Sequence, residues 1–289
     1  MTAPYHAPQH PLRGIALLIA AVSTFSVMDA TAKWLAQTYP VPAVVWARYA
    51  AQVLVMLVVL GPRYRLAMVK TRRPRLQIVR GFVLVTSTML FFGAISLMPI
   101  AEASAIAFVS PLILIALSVV FLKEKVRVAT WIAVAVSFIG VVVIIRPGSG
   151  IFSVTAALPI LTAFFFATYQ LLTRKLAGID STLATLFIAA LVGACVMTVL
   201  VPFYWVPIVS PWHAALFLAM GALATAGHFM LIRAFELAPA STLAPFVYSQ
   251  LVAVLVLGYV VFGSFPDRWS LFGMAIIVAT GAFAATRRH

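Results

Sequence analysis

The sequence predicts an all-α integral membrane protein: ten transmembrane helices arranged as two inverted five-helix repeats, with both the N and C termini in the cytoplasm. Three observations lead to this fold class. Of the 289 residues, 64% are hydrophobic and only 9% are charged, whereas soluble proteins average roughly 25% charged residues. The hydrophobic residues form ten long runs, Lys and Arg concentrate on alternate connections between them, and one segment recurs 140 residues later.

Each apolar run is long enough to cross a bilayer, whose hydrocarbon core of roughly 30 Å needs about 20 helical residues. The runs cover residues 13–35, 42–61, 77–97, 101–122, 128–146, 152–174, 181–201, 212–236, 241–262 and 268–286. Proline- and glycine-containing stretches separate them, such as "YPVP" at 39–42 and "GSFPD" at 263–267, and these are typical of turns. The first run carries Asp29 and Lys33 and lacks a small-residue cleavage site, so we interpret it as a retained helix rather than a signal peptide.

The distribution of Lys and Arg predicts the orientation, because these residues accumulate on the cytoplasmic side of short loops. With a cytoplasmic N-terminus, sixteen of the twenty lie on the inner side, seven of them from Arg63 to Arg80. The other four, on the outer side, are Lys33, Arg48, Arg146 and Arg268. The formal net charge of +14 therefore indicates membrane topology and not a nucleic-acid partner. We interpret the cluster from Arg63 to Arg80 as a topology anchor, with anionic membrane lipid as the alternative role.

An internal repeat accompanies this topology. The stretch "SLMPIAEASAIAFVSPLILIAL" begins at Ser96, and "ELAPASTLAPFVYSQLVAVLVL" begins 140 residues later. At the same offset Gly81 aligns with Gly221 and Pro99 with Pro239. The repeat unit is five helices, an odd number, so the second copy enters the membrane from the opposite side, as in many secondary transporters. The predicted organisation is a cytoplasmic tail, a first repeat, an extracytoplasmic linker and a second repeat, over residues 1–12, 13–146, 147–150 and 151–289.

Several motifs resemble those of one known family. They are "PIAEASAIAFVSPL" at the start of the fourth run, "FLKEK" at its end and "LAPASTLAPFVYSQ" leading into the ninth. Together with the five-plus-five layout, they resemble the ten-span EamA branch of the drug/metabolite transporter superfamily and, more loosely, YddG-like amino-acid exporters. The resemblance implies a basket in which spans 1, 3, 4, 6, 8 and 9 surround a central cavity, with spans 5 and 10 packed outside.

The motif content argues against an enzyme. The sequence has no HExxH, GxSxG or GxxxxGK[ST] motif, and its five histidines show no metal-binding spacing, so we expect no metal and no other cofactor. The single cysteine, Cys195, lies in an apolar run, so we expect a small buried residue and no disulfide. A channel would need charged rings or a repeated filter loop, which the sequence lacks.

The function implied by the resemblance is secondary transport across the cytoplasmic (inner) membrane. The expected activity is export of aromatic and neutral amino acids and related small metabolites, by alternating access through a central mid-membrane cavity. The alternative is a broad-specificity exporter of drugs or cationic compounds with the same fold. Protons are the candidate coupling ion, and membrane lipid is the expected surrounding.

Ionisable residues inside the spans are candidate site residues, because a charge at the centre of a membrane helix costs about 2.5–3.5 kcal/mol and needs a cavity or a partner. Asp29 shares one face of the first helix with Lys33. The sequence leaves open whether Asp29 pairs with Lys33, with Arg48 or with a substrate. His228, which aligns with Thr88, either takes part in a proton-coupled step or is a hydrogen-bonded packing residue.

Aromatic and amide side chains supply the remaining candidates. Phe108 and Tyr248 lie roughly 10 Å inside the starts of the fourth and ninth helices, at a rise of about 1.5 Å per residue, and would line one path from opposite sides. Pro111 and Pro245 in the same helices remove backbone donors and predict kinks or gates. The predicted substrate-binding set is Asp29, Thr88, Phe92, Phe108, Tyr169, Gln170, His228, Tyr248 and Gln250.

Overall fold

The computed structural model describes residues 11–122, 128–145, 154–176, 179–238 and 246–286. Within these ranges every regular element is helical, which confirms the predicted all-α class for this part of the chain. The α-helices are α1 (Pro11–Leu35), α2 (Val41–Val59), α3 (Gly61–Tyr64), α4 (Pro74–Leu97), α5 (Ile100–Ala107), α6 (Ser110–Leu122), α7 (Val128–Ile145), α8 (Val154–Leu176), α9 (Thr182–Leu200), α10 (Pro211–Leu237), α11 (Ser249–Phe262) and α12 (Arg268–Thr286). Short 3₁₀ turns cover Arg65–Met68 and Val201–Tyr204.

The described helices fall into two groups by length. Six are long and apolar enough to cross a membrane: Pro11–Leu35, Val41–Val59, Pro74–Leu97, Thr155–Thr173, Thr182–Tyr204 and Pro211–Leu231. Four shorter apolar helical stretches occupy the other predicted positions: Ile100–Leu114, Ala135–Ile145, Ser249–Phe262 and Arg268–Thr280. Many large hydrophobic side chains lie exposed on the outside, among them Phe138, Val260 and Phe272. Such a continuous apolar surface suits lipid rather than water.

The fourth predicted run, 101–122, is not one continuous helix. α5 ends at Ala107 and α6 starts at Ser110, so two residues beginning with Phe108 interrupt it. Pro111 is the second residue of α6 and has no N–H to donate to the carbonyl four residues earlier, which explains why the helix restarts here. At the predicted kink near Pro111 the structure therefore has a two-residue turn between two helices.

The corresponding position in the ninth run also marks a helix boundary. Tyr248, which lies 140 residues after Phe108, is the residue immediately before α11. The rings of Phe108 and Tyr248 pack against each other with centroids 5.6 Å apart. Pro245, the other predicted kink, lies outside the described residues. The two helix boundaries therefore meet through an aromatic contact.

Glycines permit close approach where the long helices cross. α4 packs on α9 and α10 packs on α2. A Cβ added to Gly81 of α4 would lie 2.6 Å from the Cβ of Val192, and one added to Gly221 of α10 would lie 2.4 Å from the backbone carbonyl carbon of Ala51. Gly221 thus lies against the backbone of α2 and Gly81 against the side chain of Val192, and small residues of this kind are common where membrane helices approach closely.

Hydrogen bonds at one end of the bundle join the last turn of α1 to the end of α4, and the α1–α2 connection to the start of α10. The Lys33 ammonium donates to the carbonyl oxygens of Ile95 at 2.5 Å and Met98 at 2.8 Å. The Tyr39 hydroxyl lies 2.8 Å from Nδ1 of His213. These bonds place the C-terminal ends of α1 and α4 beside the N-terminal end of α10.

At the other end, Asp180 joins the α8–α9 connection to the segment before α4. Its carboxylate accepts hydrogen bonds from the Thr71 hydroxyl at 2.5 Å, the Arg72 backbone N–H at 2.8 Å and the Gln77 amide at 2.9 Å. Burial alone would raise the pKa of Asp180, but the hydrogen bonds from Arg72, Thr71 and Gln77 hold that pKa below its ordinary value.

Next to this network, Arg80 is enclosed within the bundle with only 2% of its surface exposed. Its guanidinium donates to the Thr173 hydroxyl at 2.8 Å, the Thr185 carbonyl oxygen at 2.9 Å, the Tyr169 hydroxyl at 2.9 Å and the Gln77 amide oxygen at 3.1 Å. It also lies 4.7 Å from the centroid of the Tyr169 ring. Arg80 is therefore a buried cross-link between α4, α8 and α9 rather than one more surface cation of its cluster.

The expectation that Cys195 is buried is wrong, because this side chain is exposed. The buried face of α9 passes through Ala189, Gly193 and Met197. Cys195 lies two residues beyond Gly193, which is about 200° around the helix and therefore on the outer face.

The first prediction concerns the glycine crossing between α10 and α2. Replacing Gly221 by Val should lower the melting temperature of the purified protein by several degrees, because overpacking a tight contact costs about 1–3 kcal/mol. Gly61 is the matched control, since an added Cβ there meets nothing within 4 Å. Equal melting temperatures for Gly221→Val and Gly61→Val would contradict the close crossing.

The second prediction concerns the pH dependence of the Asp180 network. Because its pKa is lowered by folding, Asp180 stabilises the folded protein above its unfolded pKa of about 3.9, and this contribution disappears as the pH falls below that value. Asp180→Asn should therefore melt at a lower temperature than the unsubstituted protein from pH 5 to 7, and the difference should shrink below about pH 4. Thermal denaturation across this pH range is the measurement, and a difference that stays constant down to pH 3 would exclude the carboxylate as its source.

Candidate functional site

A cavity of about 190 Å³, with several polar groups among largely apolar walls, lies between the helices. Its polar lining consists of Asp29, Arg48, Ser87, Thr88, Ser104, Ser110, Thr162, His228 and Gln250. Its aromatic lining consists of Phe25, Phe91, Phe92, Phe108 and Phe166. A second cavity, of about 260 Å³, lies between α2, α10 and the 201–208 segment, and its described lining contains no Asp, Glu, Lys, Arg or His. A site with convergent polar groups among apolar walls is typical of small-molecule binding, so the first cavity is the candidate site.

The helices around the cavity agree closely with the predicted basket. Spans 1, 3, 4, 6, 8 and 9 all contribute lining residues, as α1, α4, α5 with α6, α8, α10 and α11. The helices of spans 5 and 10, α7 and α12, pack against each other and contribute none of the described lining. α2 also reaches the cavity, through Arg48, which the predicted basket did not include.

The nine predicted substrate-binding residues divide into two groups. The cavity is lined by Asp29, Thr88, Phe92, Phe108, His228 and Gln250, and is not lined by Tyr169, Gln170 or Tyr248. Tyr169 instead accepts a hydrogen bond from Arg80 and packs beneath its guanidinium. Tyr248 is buried behind Phe108, with which its ring is in contact. Tyr248 therefore shapes the cavity through Phe108 instead of lining it.

Asp29 on α1 is the acidic group of the cavity, and 5% of its surface is exposed. Lys33, one turn later, donates instead to the carbonyl oxygens of Ile95 and Met98. Lys33, one of the possible partners of Asp29, therefore bonds to the end of α4 and not to Asp29. Within the described ranges, no hydrogen bond or ion pair reaches the Asp29 carboxylate.

Arg48 on α2 is the basic group of the same cavity, with 3% of its surface exposed. Its Nε donates to the sulfur of Met28 at 3.4 Å, and its guanidinium carbon lies 4.5 Å from the centroid of the Tyr49 ring. Its Nη1 is buried and has no partner among the residues that the structure describes. Packing therefore holds the guanidinium in place while part of its hydrogen-bonding capacity is unused.

Ser104 on α5 is the second buried polar group without a partner. It is 3% exposed, and its hydroxyl makes no hydrogen bond to any described residue. Two neighbouring lining hydroxyls are satisfied: Thr88 donates to the carbonyl of Leu84 at 2.9 Å, and Ser87 donates to the carbonyl of Thr162 at 3.3 Å. Since buried polar groups are nearly always hydrogen-bonded, the open groups of Arg48 and Ser104 are a local exception.

His228 on α10 completes the ionisable set. Its ring contacts the edge of the Phe25 ring with centroids 4.9 Å apart, and no described residue hydrogen-bonds to it. Among the described residues His228 is thus a packing contact of Phe25 without a hydrogen bond, and its part in a proton-coupled step stays a prediction. The cavity can offer an imidazole, a carboxylate and a guanidinium to one small polar molecule.

Sequence reasoning did not include Arg48 and Ser104 among the substrate-binding residues. Arg48 was counted with the outer cations, although it lies seven residues into α2, or about 10 Å along the helix axis. That depth is the signal that could have identified it, because a cation so far from the membrane surface needs a partner. For Ser104 the signal was its position four residues before Phe108, which puts it on the same helix face as that predicted cavity residue.

Comparison with known proteins agrees with this architecture. A model of the EamA-like transporter family matches the chain twice, over residues 12–146 and again over 153–286. A solved crystal structure with 20% sequence identity covers 95% of both chains with a TM-score of 0.63, which shows a shared fold.

Three relatives match over almost their whole length. The S-adenosylmethionine uptake transporter of Rickettsia conorii is 29% identical and covers 96% of each chain. The riboflavin transporter of Vibrio cholerae is 28% identical over 95% of this chain and 93% of its own. The pseudopaline exporter of Pseudomonas aeruginosa is 30% identical over 95% of this chain and 97% of its own.

The two family matches cover nearly all of the described helices, and six of those helices are long and apolar enough to cross a membrane. The chain therefore belongs to the EamA-like transporter family of the drug/metabolite transporter superfamily and is a multi-pass membrane protein.

Proposed function

We propose that this protein is a secondary transporter that carries amino acids, aromatic and neutral ones in particular, and related small metabolites across the bacterial inner membrane. The observation that carries the proposal is the Asp29 carboxylate, which lies in a small aromatic-walled cavity with no ion pair to a described residue. An unpaired carboxylate in a low-dielectric site attracts a compact cation such as a substrate ammonium group. The net direction is outward, as the name of the pseudopaline relative also describes for that protein.

The size of the cavity supports a small substrate. Its volume of about 190 Å³ is below the roughly 300–1,000 Å³ of sites for drug-sized ligands. S-adenosylmethionine and riboflavin, the substrates named for two relatives, are larger than a single amino acid and would need a wider cavity. S-adenosylmethionine nevertheless carries an amino-acid group, which is the part that a cavity of this kind would recognise.

The transport mechanism that we propose is alternating access between two inverted five-helix repeats, residues 13–146 and 151–289, joined by the linker 147–150. Helix packing supports this pairing: α1 packs on α10 as α8 packs on α4, and α2 packs on α10 as α9 packs on α4. The glycine crossings agree as well, since Gly81 faces Val192 and Gly221 faces Ala51. Each of these contacts becomes the other when the two repeats are exchanged, which is the arrangement expected for transporters of this kind.

The orientation that we propose places both termini in the cytoplasm. The cation-rich segment from Arg63 to Arg80 and the α8–α9 connection are joined through Asp180 at one end of the bundle. The start of α1 is close to the end of α10, because a Cβ added to Gly14 would lie 2.8 Å from that of Ala238. Lys and Arg prefer the cytoplasmic side, so the end that holds this cluster is the inner one.

The alternative function, export of drugs or other cationic compounds, has one observation in its favour. The same Asp29 carboxylate could serve as the counter-charge of a cationic compound. Arg48 in the same cavity disfavours this function, because a cation without an acidic group would leave the guanidinium uncompensated.

The third prediction tests amino-acid transport through Asp29. Proteoliposomes preloaded with unlabelled phenylalanine, threonine or methionine should take up the labelled amino acid faster than empty ones, at equal pH on both sides. Asp29→Asn should lower this counterflow at least about tenfold, because a hydrogen bond to a charged group contributes about 1.5–3 kcal/mol. Asp267→Asn is the control, since Asp267 lies between α11 and α12 and bonds the backbone N–H of Ser270 at 2.8 Å.

The outcomes separate the two functions. Absence of counterflow with every amino acid, together with Asp29-dependent uptake of tetraphenylphosphonium in the same liposomes, would replace amino-acid transport by transport of cationic compounds. Repeating the assay with a pH gradient then tests protons as the coupling ion, since antiport of protons accelerates uptake only when the gradient has the correct sign.

The fourth prediction tests the orientation. In a Cys195→Ala background, Phe203→Cys should react with a membrane-impermeant maleimide on intact cells, because Phe203 is 80% exposed at the outer end in the proposed topology. Arg75→Cys should react only after the cells are lysed, since Arg75 lies at the cation-rich end. Labelling of Arg75→Cys on intact cells, with Phe203→Cys labelled only after lysis, would show that the orientation is opposite to the one proposed.

A further inference from the structure

We infer that Arg48 and Ser104 form a carboxylate-binding subsite in the same cavity as Asp29, so that the substrate class is the α-amino-acid zwitterion. This inference rests on the proposed function, since it assigns a second half to the same substrate site. Three observations carry it: an under-bonded buried guanidinium, an unbonded buried hydroxyl, and the unpaired carboxylate of Asp29.

The guanidinium of Arg48 has hydrogen-bonding capacity that no described residue uses. A guanidinium carries five N–H donors, yet among the described residues only one acceptor meets them, the sulfur of Met28 at 3.4 Å. A thioether is a weak acceptor. The face of the Tyr49 ring, on which the guanidinium packs, attracts the positive charge but does not accept hydrogen bonds from the N–H groups at the guanidinium edge. A buried guanidinium whose N–H groups lack acceptors is costly, and a carboxylate that receives two parallel N–H bonds is its best partner.

The hydroxyl of Ser104 also lacks a hydrogen-bond partner among the described residues. Serine and threonine within helices commonly donate back to the carbonyl four residues earlier, and Ser26 does so here with Val22 at 2.9 Å. Ser104 does not, although it is equally buried. It lies one turn before the helix break, where the Phe108 N–H bonds to its carbonyl oxygen at 2.9 Å. Its hydroxyl can therefore donate to an oxygen of a molecule in the cavity.

The charges of the cavity match a zwitterion better than a simple ion. Asp29 and Arg48 line one cavity but form no ion pair, although opposite charges attract strongly where water is scarce. Packing against Tyr49 and Met28 holds Arg48 in place. A neutral molecule with an ammonium group and a carboxylate satisfies both residues at once. A plain cation would leave Arg48 unpaired, and a plain carboxylate would leave Asp29 unpaired.

Paired ligands isolate the carboxylate contribution in a binding experiment. The purified full chain is titrated with L-phenylalanine, with its methyl ester, which lacks the carboxylate, and with 3-phenylpropionate, which lacks the amine. Ligand-induced shifts of the melting temperature give the dissociation constants. Phenylalanine should bind at least about tenfold more tightly than either analogue, because each analogue loses a charge-assisted contact.

Substitutions then assign the preference to individual residues. Arg48→Gln should bring the ester-to-phenylalanine ratio of dissociation constants close to one, and Ser104→Ala should reduce it about threefold to tenfold. Asp29→Asn should leave this ratio intact and abolish the preference over 3-phenylpropionate. Arg75→Gln, an exposed arginine on α4, is the matched control and should change neither ratio. If Arg48→Gln does not fold, Arg48→Lys takes its place, because lysine keeps the charge but not the paired donors.

The subsite and the proposed function fail in different ways. If amino acids bind but Arg48→Gln and Ser104→Ala leave the ester ratio unchanged, the subsite is wrong and amino-acid transport stands. If phenylalanine, threonine and methionine do not bind, amino-acid transport is wrong, and S-adenosylmethionine is compared with its decarboxylated form instead. A preference for the carboxylated form that Arg48→Gln removes supports the subsite, and absence of a carboxylate preference in both ligand pairs overturns it.

Discussion

A polar group inside a lipid-facing bundle has to find its partner within the bundle, because lipid offers none. Two arginines of this protein show the two ways in which the constraint acts. Arg80 is fully enclosed and donates to four acceptors on α4, α8 and α9, so it stabilises the assembly. Arg48 is equally enclosed, but its Nη1 meets no described acceptor. The same side chain is therefore a structural cross-link in one place and an open donor in a cavity in the other.

The break in the fourth span connects backbone chemistry with the cavity. Pro111 cannot continue the hydrogen-bond ladder, so α5 ends at Ala107, and Phe108 lies at the junction with its ring on the cavity wall. Ser104 sits one turn earlier and lines the same cavity. A helix break at this depth is tolerated only beside a cavity or buried in protein. Contact between Phe108 and Tyr248 brings a helix boundary of the second half to the same place.

Much of the fold could be predicted because the bilayer imposes a simple length and polarity rule on each run. The apolar stretches, the alignment of Gly81 with Gly221 and six of the nine predicted cavity residues follow from such one-dimensional patterns. The predictions that were wrong depend on which way a side chain points from its helix. Tyr169 was expected in the cavity, but its hydroxyl accepts a hydrogen bond from Arg80. Arg80 in turn was counted with the surface cations from Arg63 to Arg80, although it is buried.

The partner of Asp29 could not be predicted for the same reason. Helical spacing places Lys33 on its face, but the Lys33 ammonium reaches the free carbonyls of Ile95 and Met98 at the end of α4. Those carbonyls are available because the last turn of a helix has no internal donors for them. The choice between a neighbouring carboxylate and a helix end on another segment depends on the three-dimensional packing, which a single sequence does not contain.

Hydrogen bonds hold α4 at both of its ends, on either side of the cavity. On one side, Lys33 holds the end of α4, and on the other, Arg80 and Asp180 hold α4 to α8 and α9. α4 is thus restrained at both ends while its middle, from Leu84 to Phe92, lines the cavity. The alternating access that we propose requires one restraint to be released while the other persists. Lys33 donates two bonds to backbone carbonyls at the end of α4, whereas Arg80 makes three bonds from α4 to α8 and α9, and Asp180 adds a bond from Gln77. We therefore expect release at the Lys33 side to cost less free energy.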